Sequence, residues 1–112
     1  MIDFDKELVS TLETILPTYH ELVLHSGIET PCISYQETNN FAEREGDTLG
    51  YSRIIYTVKV WGSRVADMKP YILAIDAALR PLGFKRTSTG ELYNDTMIQK
   101  ILTYEVRAIE DF

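Results

Sequence analysis

The stretch YSRIIYTVKVWG, Tyr51–Gly62, decides the fold of this chain. Successive side chains of a strand point to opposite faces, so alternate positions of the stretch can be compared. One set is apolar or aromatic throughout and predicts a core face: Ile54, Tyr56, Val58 and Val60. The other set mixes charge with large apolar side chains: Arg53, Ile55, Thr57, Lys59 and Trp61. That second face is too apolar for ordinary solvated surface.

The residues before this strand are strongly polar. The segment NNFAEREGDTLG, Asn39–Gly50, contains acids, one arginine and two glycines, and Ala42–Gly50 therefore predicts a loop or hairpin connection. Before it, PCISYQETNNF predicts a strand with Ile33 and Tyr35 on one face, and YHELVLH predicts a shorter one.

Two helices are predicted around these strands. The first carries Phe4, Leu8, Leu12, Ile15 and Leu16 at helical spacing, with Asp3 or Asp5 as its cap and Pro17 at its end. The second follows Gly62-Ser63; if Asp67 is its N-cap, Pro70 falls in the first turn, where its missing amide hydrogen is not needed. Its apolar stripe comprises Val65, Met68, Ile72, Ile75, Leu79 and Leu82. Pro81 and Gly83 predict its end.

The C-terminal third predicts two strands. One starts near Phe84, a turn region holds Gly90 and Asn94-Asp95, and a long strand closes the chain. The order α-β-β-β-α-β-β favours an α+β fold in which two helices pack on one face of a mainly antiparallel sheet.

Bulk composition predicts one globular domain spanning residues 1–112. The chain is 45% hydrophobic and 25% charged, and its single cysteine, Cys32, has no internal disulfide partner. No targeting signal or membrane span is apparent, so synthesis in the cytoplasm is expected. The net charge of −6 and the small basic grouping of Lys85-Arg86 with Arg80 nearby argue against tight nucleic-acid binding.

The residue types needed for catalysis or metal binding are present without the spacing that such sites require. His20, His25 and Cys32 form no close-spaced ligand pair, and surface histidines with a buried, inert thiol are the simpler interpretation. The six glycines form no phosphate loop. Glu43, Glu45 and Asp47 lack the calcium-loop pattern and predict a solvated segment. We therefore expect neither an enzyme nor a cofactor.

Five segments together resemble a known family over nearly the whole chain. They are the opening helix ending at LP, PCISYQETNNF, YSRIIYTVKVWG followed by a helix, LRPLGFKRTSTGELY, and IQKILTYEVRAI. The chain resembles the tail-completion or tail-terminator proteins, which join head to tail in bacteriophages with long, non-contractile tails.

The resemblance implies a structural virion protein without enzymatic activity or cofactor. Such a subunit forms a ring, commonly a hexamer, at the head-proximal end of the tail tube, between the tube protein and the head-completion or connector protein. DNA passes through without tight binding, which the acidic charge suits. Arg53, Ile55, Lys59 and Trp61 are then a candidate subunit interface. The candidate lumen or docking loop comprises Asn39, Asn40, Glu43, Arg44, Glu45 and Asp47.

An alternative of a different class is a small intracellular α+β domain that binds a ligand or regulates a partner. Its support is the number of tyrosines and the tryptophan outside the core face, since aromatic residues are enriched at binding surfaces. An enzyme built on His20, His25 or Cys32 is the least favoured interpretation.

Overall fold

The computed structural model describes residues 4–21, 30–45, 49–94 and 97–111. Within these ranges the chain forms two helices and a five-stranded, mostly antiparallel sheet, in the predicted order. The elements are α1 (Phe4–Glu13), β1 (Thr18–His20), β2 (Cys32–Glu45), β3 (Leu49–Gly62), α2 (Val65–Leu79), a 3₁₀ turn (Arg80–Leu82), β4 (Lys85–Asn94) and β5 (Met97–Asp111). The α+β prediction is confirmed.

The sheet is organised around β3. The strand order is β1-β2-β3-β5-β4, with β1 parallel to β2 and every other pair antiparallel. β3 pairs along its whole length with β5, from Leu49 opposite Asp111 to Gly62 opposite Ile98. The stretch that decides the fold is therefore the central strand, and it begins two residues earlier than predicted, at Leu49.

The core lies between the helices and one face of the sheet. The alternation of β3 is confirmed, because Ile54, Tyr56, Val58 and Val60 are all buried. Phe84 joins the two layers: its ring packs edge-on against Phe4 of α1 and Tyr56 of β3, with ring centres 5.9 and 6.0 Å apart. The remaining buried apolar residues of this core are Leu8, Leu12, Leu16, Ile33, Met68, Ile75, Leu79, Leu102, Tyr104 and Val106.

Helix α1 ends earlier than Pro17. Regular helix stops at Glu13, and a turn continues to Leu16, whose amide donates to the carbonyl of Leu12 at 3.1 Å. The carbonyl of Pro17 then accepts the amide of Ile33 at 2.8 Å, which fixes the end of this segment against β2. Proline is compatible with this position because no donor is required of it.

Helix α2 begins at Val65, the first residue of the predicted stripe, so Asp67 is not its N-cap and Pro70 lies inside the helix. Arg64 occupies the N-cap in an extended conformation and makes no side-chain capping hydrogen bond. Asp67 lies in the first turn, where the positive end of the helix dipole stabilises its carboxylate. Val65 and Leu82, the two ends of the predicted stripe, are 40% and 36% exposed, because both lie where the helical layer ends. Met68, Ile75 and Leu79 are buried as predicted, and Ile72 is partly buried.

Two predicted connections are strand instead. Glu45 pairs with Leu49, so strand structure continues through 42–45 and 49–50, which were expected to form a loop. Gly90, expected in a turn, pairs with Ile101 inside β4. Pairing with a neighbouring strand satisfies the backbone groups whatever the side chains are, and that tertiary effect overrides weak strand propensity.

Candidate functional site

The face of the sheet opposite the helices carries the predicted interface residues. We call it the open face. Arg53, Ile55, Lys59 and Trp61 alternate with the core residues of β3 and are half-buried. Register places Trp61 between Cys32 and Gln99. Trp61 therefore has a neighbour on each adjacent strand within its own subunit.

One end of the open face holds a cluster formed by Glu21, Ser34, Lys59 and Trp61. Glu21 Oε1 accepts from Lys59 Nζ at 2.9 Å, and Glu21 Oε2 accepts from Ser34 Oγ at 2.7 Å. The indole Nε1 of Trp61 donates to Ser34 Oγ at 2.9 Å. Lys59 Nζ lies 6.0 Å from the centre of the indole ring, at the limit for a cation–π contact. These bonds orient the indole within its own subunit.

The other end of the open face holds a second charged group. Glu105 Oε1 lies 3.9 Å from Arg53 Nε and 3.6 Å from Arg107 Nε, so one carboxylate is shared by two guanidinium groups. Ile55 lies between the two groups, and its carbonyl accepts from Thr38 Oγ1 at 3.2 Å. The structure thus places all four predicted residues on one face but divides them between two clusters.

Sequence reasoning missed Glu21 and Ser34. The position of Ser34 was readable, because it alternates with Ile33 and Tyr35 of the core face. Glu21 follows a strand of three residues, and its contact with Lys59 depends on the parallel pairing of β1 with β2. Nothing in the local sequence specifies that pairing.

Beyond the helical core, three strands continue alone. β1 pairs with β2 only at residues 33–35, and the pairing of β4 with β5 begins at Glu105. Past these points the backbone of 39–45, 49–53 and 107–111 forms a three-stranded antiparallel segment, which we call the ribbon. A register shift at Thr38 marks its start on β2. Bulges of this kind bend a strand and increase its twist.

The predicted docking loop is largely this ribbon. Asn39, Asn40, Glu43, Arg44 and Glu45 lie in β2, and Asp47 lies outside the described residues. The expectation of a loop is therefore wrong for the five that are described. Their role as a docking surface stays a prediction.

Helix length shows how far the strands extend past the core. α1 has 10 residues and α2 has 15, about 15 and 22 Å of helix. β5 has 15 residues, about 50 Å of strand, so the helices would not cover it even end to end. The molecule measures 52 × 25 × 22 Å.

Helix α2 has an apolar face that points away from the sheet. Leu73 is 62% exposed. Its neighbours on this face are also exposed: Ala66, Pro70, Ala74 and Ala77. Lys69, one turn before Leu73, is exposed on the same side, so this outer face is largely apolar with one charge, and it has no cover from the described part of the chain.

The residues considered for catalysis are separated by the sheet. Cys32 pairs with Trp61 and lies on the open face, where burial raises the pKa of its thiol. His20 lies on the helix side, with its ring edge-on to Tyr35 and the ring centres 5.2 Å apart. A Cys32–His20 dyad is therefore not formed; His25 lies outside the described residues. Across the described ranges, no group of three or more His, Cys, Asp or Glu side chains is placed to hold a metal ion.

No protein-family model matches the chain, and no curated protein is significantly similar to it in sequence. Within the described ranges, neither helix has the length and apolar character needed to span a membrane.

Proposed function

We propose that this chain is a structural subunit of a bacteriophage tail, a tail terminator that forms a ring at the head-proximal end of the tail tube and joins tail to head. The observation that carries the proposal is the ribbon. A domain that only had to bury a core would have no use for strands longer than its two helices together. Strands of this length are suited to contacts between subunits.

The edges of the ribbon support this role. Along 39–45 and 107–111, the strands β2 and β5 are each paired on one side with β3, and no other described strand pairs with them there. An edge of this kind presents backbone donors and acceptors to a partner strand. Glu43, Arg44 and Glu45 lie along it, and charge on an edge strand restricts pairing to partners with matching charge.

A second surface is needed for a ring, and the outer face of α2 is suited to it. A closed ring joins one patch of each subunit to a different patch of the next. The apolar outer face of α2 and the polar ribbon are two such patches on separate parts of the fold. An apolar face exposed in a monomer and covered in a ring would explain why the exposed positions of α2 include Leu73.

Overall charge supports passage of DNA through such a ring. At a net charge of −6, long-range repulsion opposes tight phosphate binding. The resemblance of the sequence to tail-terminator proteins points to the same role.

The proposal is tested by native mass spectrometry and negative-stain microscopy of the concentrated protein, alone and with tail tubes. We expect closed rings, in solution or on one end of each tube. Leu73→Glu should reduce ring formation strongly with little effect on the melting temperature, because the side chain is mostly exposed. Ser10→Glu, on the exposed side of α1, is the control for an added charge on a helix.

A protein that stays monomeric in both settings would refute the proposal. Stabilisation by one specific small molecule, together with strict monomers, would instead favour the alternative of a ligand-binding domain.

A further inference from the structure

A basic cleft lies where α2 ends and β4 begins. Its volume is about 390 Å³, and it is lined by Asp76, Arg80, Gly83, Phe84, Lys85 and Arg86. Gly83 has φ +94°, a left-handed conformation that glycine adopts without strain and that turns the chain from the 3₁₀ turn into β4. The turn brings the basic residues of two elements to one opening.

The charge of the cleft is unbalanced. Asp76 is its acid, and both carboxylate oxygens are already used: Oδ1 accepts from the hydroxyl of Tyr104 at 2.7 Å, and Oδ2 lies 3.2 Å from Arg86 Nη1. Arg80 and Lys85 are exposed, and neither has an ion-pair partner within the described part of the chain. Two cations in an acidic protein are therefore available to a partner.

The far end of the ribbon carries the opposite charge. Backbone register places Glu45 beside Leu49 and Leu49 beside Asp111, with Glu43 and Glu110 close behind. Among residues 43–45 and 110–111, four acids accompany one base, Arg44. The far end of the ribbon is thus predominantly acidic.

The two regions of one chain are too far apart to meet. Lys85 pairs with Glu105, and Asp111 lies six residues further along β5, about 20 Å away along an extended strand. Along 107–111 the strand β5 stays paired with β3, so it does not return to its own cleft. Only a second molecule brings opposite charges together here.

We propose that this cleft receives the acidic end of the ribbon of a second copy of this chain. The inference rests on the proposed ring and deepens it, since it names two different patches that meet in a head-to-tail contact. Arg80 and Lys85 bind carboxylates of the incoming ribbon, while Arg86 remains with Asp76. Contacts between exposed charges set register and association rate, and they weaken with salt.

Charge exchange tests the contact. The cleft variant is Arg80→Glu with Lys85→Glu, and the ribbon variant is Glu43→Lys with Glu45→Lys. Each alone should raise the dissociation constant for self-association, measured at low salt by analytical ultracentrifugation, by at least about tenfold, because opposite charges become like charges. An equimolar mixture of the two variants should restore association, since each supplies the surface that the other needs.

The matched control is Arg64→Glu. Arg64 is exposed at the other end of α2, so this substitution reverses a charge beside the same helix but away from the cleft. We expect wild-type association from it. Melting temperatures of all variants establish that each is folded before association is compared.

The outcomes separate this inference from the proposed function. If both variants form rings as the wild type does, the cleft contact is refuted and the proposed ring is not. Dimers that need the cleft and never close would support the contact and refute the ring. Absence of association at every concentration, both in solution and in the presence of tail tubes, would refute both. If the cleft variant instead loses binding to duplex DNA while self-association is unchanged, the cleft binds phosphate and the inference is wrong.

Discussion

Tyr56 and Tyr104 lie opposite each other on β3 and β5, and each donates its hydroxyl to an aspartate of a different helix. Tyr56 bonds Asp5 of α1, and Tyr104 bonds Asp76 of α2. Both tyrosines are 1% exposed. One pair of adjacent residues at the centre of the sheet therefore fixes the position of both helices, and through Asp76 it also fixes the floor of the basic cleft.

Tyr104→Phe removes one of these bonds while keeping the ring. We expect a loss of about 1 kcal/mol in the free energy of unfolding, the usual effect of deleting a hydrogen bond, measured by urea denaturation. Tyr93→Phe is the control, because Tyr93 is 70% exposed and its bond to Glu91 is open to solvent. Equal losses in the two variants would show that burial of Tyr104 contributes nothing to the bond.

The free energy of unfolding should fall at alkaline pH because of Tyr104. Burial, and then the hydrogen bond to Asp76, raise the pKa of Tyr104 well above its ordinary value. Its unfolded form ionises near pH 10, so above that pH the unfolded state binds fewer protons and stability falls as pH rises. Below pH 10 the contribution is fully present. Denaturation at a series of pH values should give a steeper alkaline decline for the wild type than for Tyr104→Phe; parallel curves would contradict this.

The sequence predicts the regular part of this fold well. The alternation of Ile54–Val60 alone specifies which face of β3 is buried, because burial on one side leaves a period of two. The helical stripe through Met68, Ile75 and Leu79 is equally direct. Both signals are local and strong.

The ribbon and the polar clusters could not be predicted in the same way. Residues 43–45 are all charged, and only their register with β3 makes them strand. The hydrogen bond between Ser34 and Trp61 links β2 to β3. Glu21, which follows β1, accepts a further hydrogen bond from Ser34. The cleft likewise needs a left-handed Gly83 to bring Arg80 beside Lys85. Each depends on contacts between distant parts of the chain.

Trp61→Ala should affect assembly more than folding. Trp61 is half-buried on the open face and its indole contacts Ser34 and Lys59, so the variant loses local packing while the core face of β3 stays intact. We expect a cooperative but weaker unfolding transition together with loss of self-association in native mass spectrometry. Trp61→Phe, which keeps a ring but removes the N–H donor, should retain more association. Loss of cooperative unfolding in Trp61→Ala would instead assign this residue to the core.

Glu43→Lys with Glu45→Lys should leave the monomer nearly as stable as the wild type. Both residues lie in the ribbon, beyond the helical core, so we expect their charges to contribute little to stability. We expect a melting temperature close to that of the wild type at a concentration where self-association is absent. A large fall would show that the ribbon end is packed within its own subunit, and would remove it as a free partner for the cleft.

Gly62→Ala should destabilise the junction between β3 and α2. A methyl group at this buried position would lie 2.9 Å from Cγ of Met68 and 3.1 Å from its sulfur, closer than side chains tolerate. Overpacking of this kind costs about 1–3 kcal/mol in the free energy of unfolding, measured by chemical denaturation. Gly90→Ala is the control, because a methyl group there meets Cβ of Ile101 at 3.9 Å, an ordinary contact. Since Met68 is the residue displaced, Met68→Ala should cost less in the Gly62→Ala background than alone; equal costs would place the strain elsewhere.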